Sequence, residues 1–309
     1  MTERMVGRAG VALLAALALV GGSAGAQPGP TARTRVVMLG TGTPNADPER
    51  SGPSVAIVVD DQAYLIDAGP GVVRRASAAA RSGVAALEAA RLDRVFLTHL
   101  HSDHTVGLPD LIYTPWVLER DSALRVYGPR GTKAMTGHLA AAWREDVAVR
   151  IEGRERANRT GHLVRATEVV PGVVYRDARV TIRAFAVPHG DWAEAYGYRV
   201  ETPDRVIVVS GDTRASRAVV EACRGCDLLV HEVYSAERFT TRPAKWQAYH
   251  RNAHTSTVEL AALARESGAK AVLLYHQLYW GATDEDLLRE MRAAGYAGPL
   301  QAARDLGTY

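Results

Sequence analysis

Five times along this chain a short apolar run ends and a side chain able to bind a metal follows. Val95-Phe96-Leu97 leads into Thr98-His99-Leu100-His101-Ser102-Asp103-His104. Val180 to Val187 leads to His189, and Arg205 to Ser210 leads to Asp212. Asp227 to Val230 leads to His231 and Glu232, and Ala271 to Tyr275 leads to His276. Runs of this length, rich in β-branched and aromatic residues, read as buried strands. Each strand then delivers a polar group on a loop at its carboxyl end, where a rigid scaffold can aim several such groups at one point.

The signal is densest at His99 to His104, where three imidazoles and one carboxylate fall within six residues. His and Asp are the ligand types that suit a borderline metal such as zinc. A polar loop of satisfied histidines explains a lone His, but not four ligand types so closely spaced.

Further short motifs accompany these: Leu39-Gly-Thr-Gly-Thr-Pro44, Leu65-Ile-Asp-Ala-Gly69, Pro188-His189-Gly190, Gly211-Asp212-Thr213, His231-Glu232, His254-Thr255-Ser256 and Tyr275-His276. With Thr98 to His104, they make the chain resemble the metallo-β-lactamase-fold hydrolases, and among them the ribonuclease Z branch of phosphodiesterases and its secreted relatives. The resemblance covers nearly all of the chain after residue 33. It implies an α/β fold, the αβ/βα four-layer sandwich.

It also implies two zinc ions per chain. His99, His101 and His189 would hold one, Asp103, His104 and His276 the other, and Asp212 would bridge them. A hydroxide shared by the two metals would attack the substrate, and Asp103 could orient it. Glu232 and His254 resemble the family's acid pair, with His254 the candidate general acid. Asp67 would support the ligand loop from below; it reads equally as a turn residue. His231 reads as a buried structural histidine, and His138 and His162 stay outside the site. True β-lactamases of this fold lack the bridging carboxylate, which argues against antibiotic hydrolysis.

The expected function is therefore an exported dinuclear zinc hydrolase acting on phosphodiesters. The same site could serve aryl sulfates, lactones or other esters. A reading from another class is a non-catalytic metal- or ligand-binding protein. The expected partner is a small anionic or ester substrate, and a homodimer is compatible with the chain. The family's tRNA processors carry a long arm between the motifs matched by His189 and Asp212. Here those residues are 23 positions apart, and one hairpin around Thr202-Pro203-Asp204 consumes the interval. That argues against tRNA, and a net charge of +3 is too small to imply a nucleic-acid partner by itself.

Residues 1–26 read as a secretory signal: Arg4 and Arg8, then apolar Ala9 to Val20, then Ala24-Gly25-Ala26. The apolar run is too short to span a bilayer comfortably. The expectation is cleavage, a periplasmic location free of the membrane, and a hydrolase domain over 27–309.

Elsewhere the pattern predicts a hairpin around Asp60-Asp61 and a helical region Val72 to Ala90 with a break near Gly83. Pro109 and Pro115 limit regular helix in Leu108 to Leu118. Tyr113 and Trp116 there either border the site or pack. Asp191, Trp192 and Tyr196 are pocket candidates. Cys223 and Cys226 form a disulfide or remain two inert thiols. Val233 to Ala253 reads as a loop or lid. Its Arg242 and Lys245 could hold an anionic substrate and Trp246 could stack on it, or the segment is a solvated basic loop. Thr255 or Ser256 should cap a helix to Glu266, and Asp284 to Ala294 should be a closing helix.

Overall fold

Side chains alternate across each strand, so every central strand here presents two apolar faces. In the first strand, Val36 and Met38 face one core while Val37 and Leu39 face another. Leu273 and Tyr275 are separated from Val272 and Leu274 in the same way. Such strands must be covered on both faces.

The computed structural model describes Met1, Thr2 and residues 33–309. The expected export signal lies outside the described residues, apart from its first two. One sheet contains β1 (Thr34–Gly40), β2 (Ser54–Val59), β3 (Gln62–Ile66), β4 (Arg94–Phe96), β5 (Leu124–Gly128) and β6 (Val164–Glu168), in sequence order. The other contains β7 (Gly172–Arg176), β8 (Thr181–Ala186), β9 (Tyr196–Glu201), β10 (Val206–Val209), β11 (Leu228–Tyr234), β12 (Val272–Leu278) and β13 (Leu300–Ala302), also in sequential order. The two sheets enclose the central core. Helices α1 (Val72–Arg81), α2 (Ser102–Thr105), α3 (Leu108–Val117), α4 (Thr132–Ala142) and α5 (Arg144–Glu152) belong to the first half. Helices α6 (Arg217–Cys223), α7 (Ala236–Phe239), α8 (Ala244–Ala253), α9 (Thr257–Ser267) and α10 (Asp284–Ala293) belong to the second. The expected αβ/βα four-layer sandwich is what forms. Among the described residues no helix is long and apolar enough to cross a membrane.

β3 through β6 run parallel, as do β10 through β13, and β8 points the same way as β10 because β9 is antiparallel to both. Within each sheet the strands that lead to the candidate ligands therefore end on a common rim.

Several local expectations need correction. His231, Glu232 and His276 do not follow their strands; they lie inside β11 and β12. Glu232 pairs with Tyr275 and Val233 with Gln277, so His276 is an extra residue in β12, with φ 46°. This bulge changes the side-chain alternation at His276, a candidate metal ligand. Residues 233–253 are largely helical, not a loop, because α7 and α8 occupy them. β6 was not anticipated, since its Val-Arg-Ala-Thr-Glu run is half exposed at a sheet edge.

Pro115 sits inside α3. Its missing N–H frees the Leu111 carbonyl, and the buried Arg120 guanidinium donates to that oxygen at 3.0 Å. Arg120 also donates to the carbonyls of Leu92, Ile112 and Gly161 at 2.7 Å each. The proline penalty is offset by one side chain that ties the end of α3 to two neighbouring segments. Tyr113 and Trp116 pack in the helix-side core of this half, so they do not border the site. The break near Gly83 is real; that residue has φ 101°. Ser256 caps α9 in a reciprocal box with Glu259, and Cys223 and Cys226 are joined as a buried disulfide.

Candidate metal centre

The site is assembled from below by Asp67, which follows β3 with φ 62°. Its Oδ1 accepts the Thr98 N–H at 2.7 Å, and its Oδ2 accepts the Thr98 hydroxyl at 2.9 Å. Oδ2 also lies 2.8 Å from His104 Nδ1. One buried carboxylate thus fixes the end of β4 and the orientation of His104. Asp103 and His104 sit on the single turn of α2, rather than on an irregular loop.

His99 and His189 are held at their outer nitrogens too. His99 Nδ1 lies 3.0 Å from Thr98 Oγ1, and His189 Nδ1 lies 2.7 Å from the Ala253 carbonyl oxygen. Their Nε2 atoms approach His101 Nδ1 at 2.9 and 3.1 Å. Asp212 Oδ2 lies 3.4 Å from the Nε2 atoms of His104 and His276 and 3.9 Å from that of His189. Asp103 Oδ2 is 3.3 Å from His276 Nε2 and 3.4 Å from His104 Nε2. Gly211 allows Asp212 to reach this point: its φ is 61°, and a Cβ there would meet the Tyr196 carbonyl oxygen at 2.5 Å.

Buried carboxylates need cationic partners. Among the described residues, the ion pairs of Asp103 and Asp212 involve only imidazoles. Burial pulls the His104 imidazole down, but Asp212, Asp67 and Asp103 together push it well above its ordinary pKa. His99 is drawn well down by burial, with His104 adding to that effect. His104 Nε2, Asp212 Oδ1 and His276 Nδ1 are buried without hydrogen-bond partners. Clustered buried carboxylates, a His99 imidazole kept neutral by burial, and the orphaned His104 Nε2 and Asp212 Oδ1 fit a bound cation. Two separate groups, His99/His101/His189 and Asp103/His104/His276, each have candidate ligand atoms within 4.8 Å of one another. Asp212 joins His99 and His104 in another such group, and His189 and His254 in a fourth.

β11 brings Glu232 beneath the α8–α9 junction. Its Oε1 accepts the Thr255 N–H at 2.8 Å, and its Oε2 lies 3.4 Å from His254 Nδ1. Burial, with Asp212 nearby, pushes the Glu232 carboxyl well above its usual range. Burial also takes His254 down to about 4, with Asp212 opposing the shift. His231 is fully buried, and its Nδ1 lies 2.6 Å from the Glu232 carbonyl oxygen, as suits a structural histidine.

A cavity of about 470 Å³ opens above the cluster, with His101, Asp103, Asp212, His254 and His276 on its floor. Arg242, Trp246, Tyr249, His250 and Trp280 line its wall. Lys245 is not among the lining residues; its ammonium lies 5.9 Å from the Trp246 ring centroid. Asp191 and Trp192 border an adjoining hollow, and the Trp192 indole N–H donates to His101 Nε2 at 2.8 Å. Tyr196 belongs to the central core instead. Trp280 was missed by sequence reasoning. Its only signal was an aromatic residue just beyond the strand that carries His276.

A family model described as the beta-lactamase superfamily domain matches residues 62–277. The chain belongs to the beta-lactamase superfamily. Ribonuclease Z of Mycobacterium bovis (strain BCG / Pasteur 1173P2) is 32% identical over 275 residues, covering 88% of this chain and 96% of that protein. Ribonuclease Z of Mycobacterium marinum is 34% identical over the same shares of each chain. The relationship therefore lies in the ribonuclease Z branch. The metallo-beta-lactamase fold protein YhfI from Bacillus subtilis superposes with a TM-score of 0.70 at 18% identity, covering 89% of this chain and 99% of that one. Human tRNase Z, short form, gives 0.65 at 21% identity, covering 89% and 98%. As a member of this superfamily the chain is a metal-dependent hydrolase.

Proposed function

We propose that this superfamily member hydrolyses a small phosphodiester with two zinc ions bound. The carrying observation is the meeting, on the floor of one small cavity, of the His/Asp cluster with the Glu232–His254 pair. His99, His101 and His189 would hold one metal, Asp103, His104 and His276 the other, and Asp212 would serve both. When bound, such a pair supplies an acidified water and neutralises charge on the ester oxygens. Asp103 orients that water. His254 carries a proton at Nε2 for the leaving oxygen and takes its replacement at Nδ1 from the Glu232 carboxyl, whose protonated form burial favours. Asp67 keeps the His104 ring in place.

The substrate is small and is not tRNA. In support, the interval from His189 to Asp212 contains the β9–β10 hairpin and no other element, so it has no protruding arm. We also propose that the protein is exported to the periplasm. Arg4, Arg8 and the apolar run after them support this, and so does the Cys223–Cys226 disulfide, since oxidising compartments preserve such bonds.

The test is turnover of bis(4-nitrophenyl) phosphate by residues 27–309 loaded with zinc, beside Asp212→Ala as the blank. Turnover that vanishes in the variant supports the diesterase. No turnover with metal bound sinks it and directs attention to aryl sulfates, lactones and other esters. His254→Ala should keep its metal and lose turnover; a non-catalytic binding protein would lose neither metal nor ligand.

A further inference from the structure

We infer that the leaving group of the substrate carries a flat aromatic ring system, seated on a wall of rings that begins at His254. The inference rests on the diesterase reading above and extends it to a substrate class. The wall is built by α8 and by the turn after β12. His250 lies 5.5 Å from His254, 4.6 Å from Trp280 and 5.9 Å from Trp246, centroid to centroid. Tyr249 lies 6.2 Å from His254. The series runs outward without a gap from the residue that hands a proton to the leaving oxygen. Whatever departs with that proton lies against these rings.

Two observations set this wall apart from ordinary packing. Trp246 and Tyr249 are 45% and 41% exposed although both line the cavity. Large rings left open side by side at a site mark a surface that binds something. Arg242 is held with its guanidinium 5.4 Å from the Trp280 ring centroid, and its buried Nε has no hydrogen-bond partner. A guanidinium so placed presents a flat face to a ring and free donors to an anionic or carbonyl edge. The volume of about 470 Å³ is near the small end of small-molecule sites, about 300–1,000 Å³. It suits one ring system with a sugar or a short chain attached.

A nucleobase and an aryl ester share this chemistry, and equilibrium binding separates them. The metal-loaded protein is titrated with adenosine 5′-monophosphate and phenyl phosphate, and with ribose 5-phosphate and methyl phosphate as ringless counterparts. Stacking predicts that at least one ring-bearing ligand binds about tenfold or more tightly than its counterpart. Trp246→Ala should remove that preference and leave ringless binding unchanged, and Trp246→Phe should restore most of it. A preference confined to the nucleotide identifies a nucleoside leaving group; one confined to phenyl phosphate identifies an aryl ester. Equal binding of ringed and ringless ligands overturns the inference, as does an alanine variant that weakens both alike. Diester turnover without any ring preference sinks the inference alone. A ring preference without diester turnover sinks the diesterase reading and assigns the wall to another ester class.

Discussion

Asp67 Oδ2 lies 2.8 Å from His104 Nδ1 while the same carboxylate accepts both the N–H and the hydroxyl of Thr98. The pairing sets the ring orientation of a metal-ligand candidate from outside the cavity. Carboxylates in this position typically account for about 10–100-fold of metal affinity. Asp67→Asn tolerates the left-handed backbone but removes the charge, so zinc affinity should fall by about that factor in a chelator competition. Unchanged affinity would reduce Asp67 to a turn residue.

Trp192 should report metal loading. Its indole N–H donates to His101 Nε2, while His101 Nδ1 is the atom facing His99 and His189. A neutral imidazole carries one proton. Accepting from Trp192 puts that proton on Nδ1; ligation through Nδ1 would move it to Nε2, against the indole N–H. Zinc should therefore break the Trp192 contact and change tryptophan fluorescence, and Trp192→Phe should abolish most of the change. A signal that survives in Trp192→Phe would place the response at another tryptophan.

Glu290 anchors the segment that carries the ring wall. It is buried, and accepts from the Ser235 hydroxyl at 2.6 Å, the Ala236 N–H at 2.7 Å and the Thr257 hydroxyl at 2.6 Å. Those donors flank α7 and the start of α9. Glu290→Ala would strand all of them at a cost on the order of 3 kcal/mol, measurable as a lower urea midpoint at an unchanged slope. A midpoint within error of the wild type would refute the anchor.

Acid should weaken the first sheet through Asp93. Burial would raise this carboxyl, but Arg94 and Arg125 outweigh burial and hold it below its usual range. Arg94 donates to it at 2.7 and 2.9 Å. Because the folded pKa lies below the unfolded value of about 3.9, the stabilisation is full at neutral pH and is lost as pH falls through the folded value. Asp93→Asn should cost about 1 kcal/mol at pH 7 and much less near pH 2. Urea titrations of both proteins at the two pH values check this; a gap independent of pH would contradict it.

The strands around Phe96, Val208 and Leu273 were legible because a buried strand announces itself in a few contiguous residues. So were the ligand types, since imidazole and carboxylate chemistry belongs to the residue itself. The hairpin at Asp60-Asp61 and the cap at Ser256 depend on neighbours within three or four positions. The helix through Pro115 was not legible: Arg120, which rescues it, must first fold back to reach Leu111, Leu92 and Gly161.

The sequence by itself determined that strands alternate with ligands and that His99, His101, Asp103, His104, His189, Asp212 and His276 are available to a metal. Local patterning and side-chain chemistry suffice for that. Only the tertiary structure decided which nitrogen His104, His99, His101 and His189 turn inward, because the outer nitrogen is held by Asp67, Thr98, Trp192 or the Ala253 carbonyl. It also decided that His276 is an extra residue in its strand and that Trp280 joins Trp246 and Tyr249 around one cavity. Those outcomes depend on strand register and on the docking of α8, which bring together residues far apart along the chain.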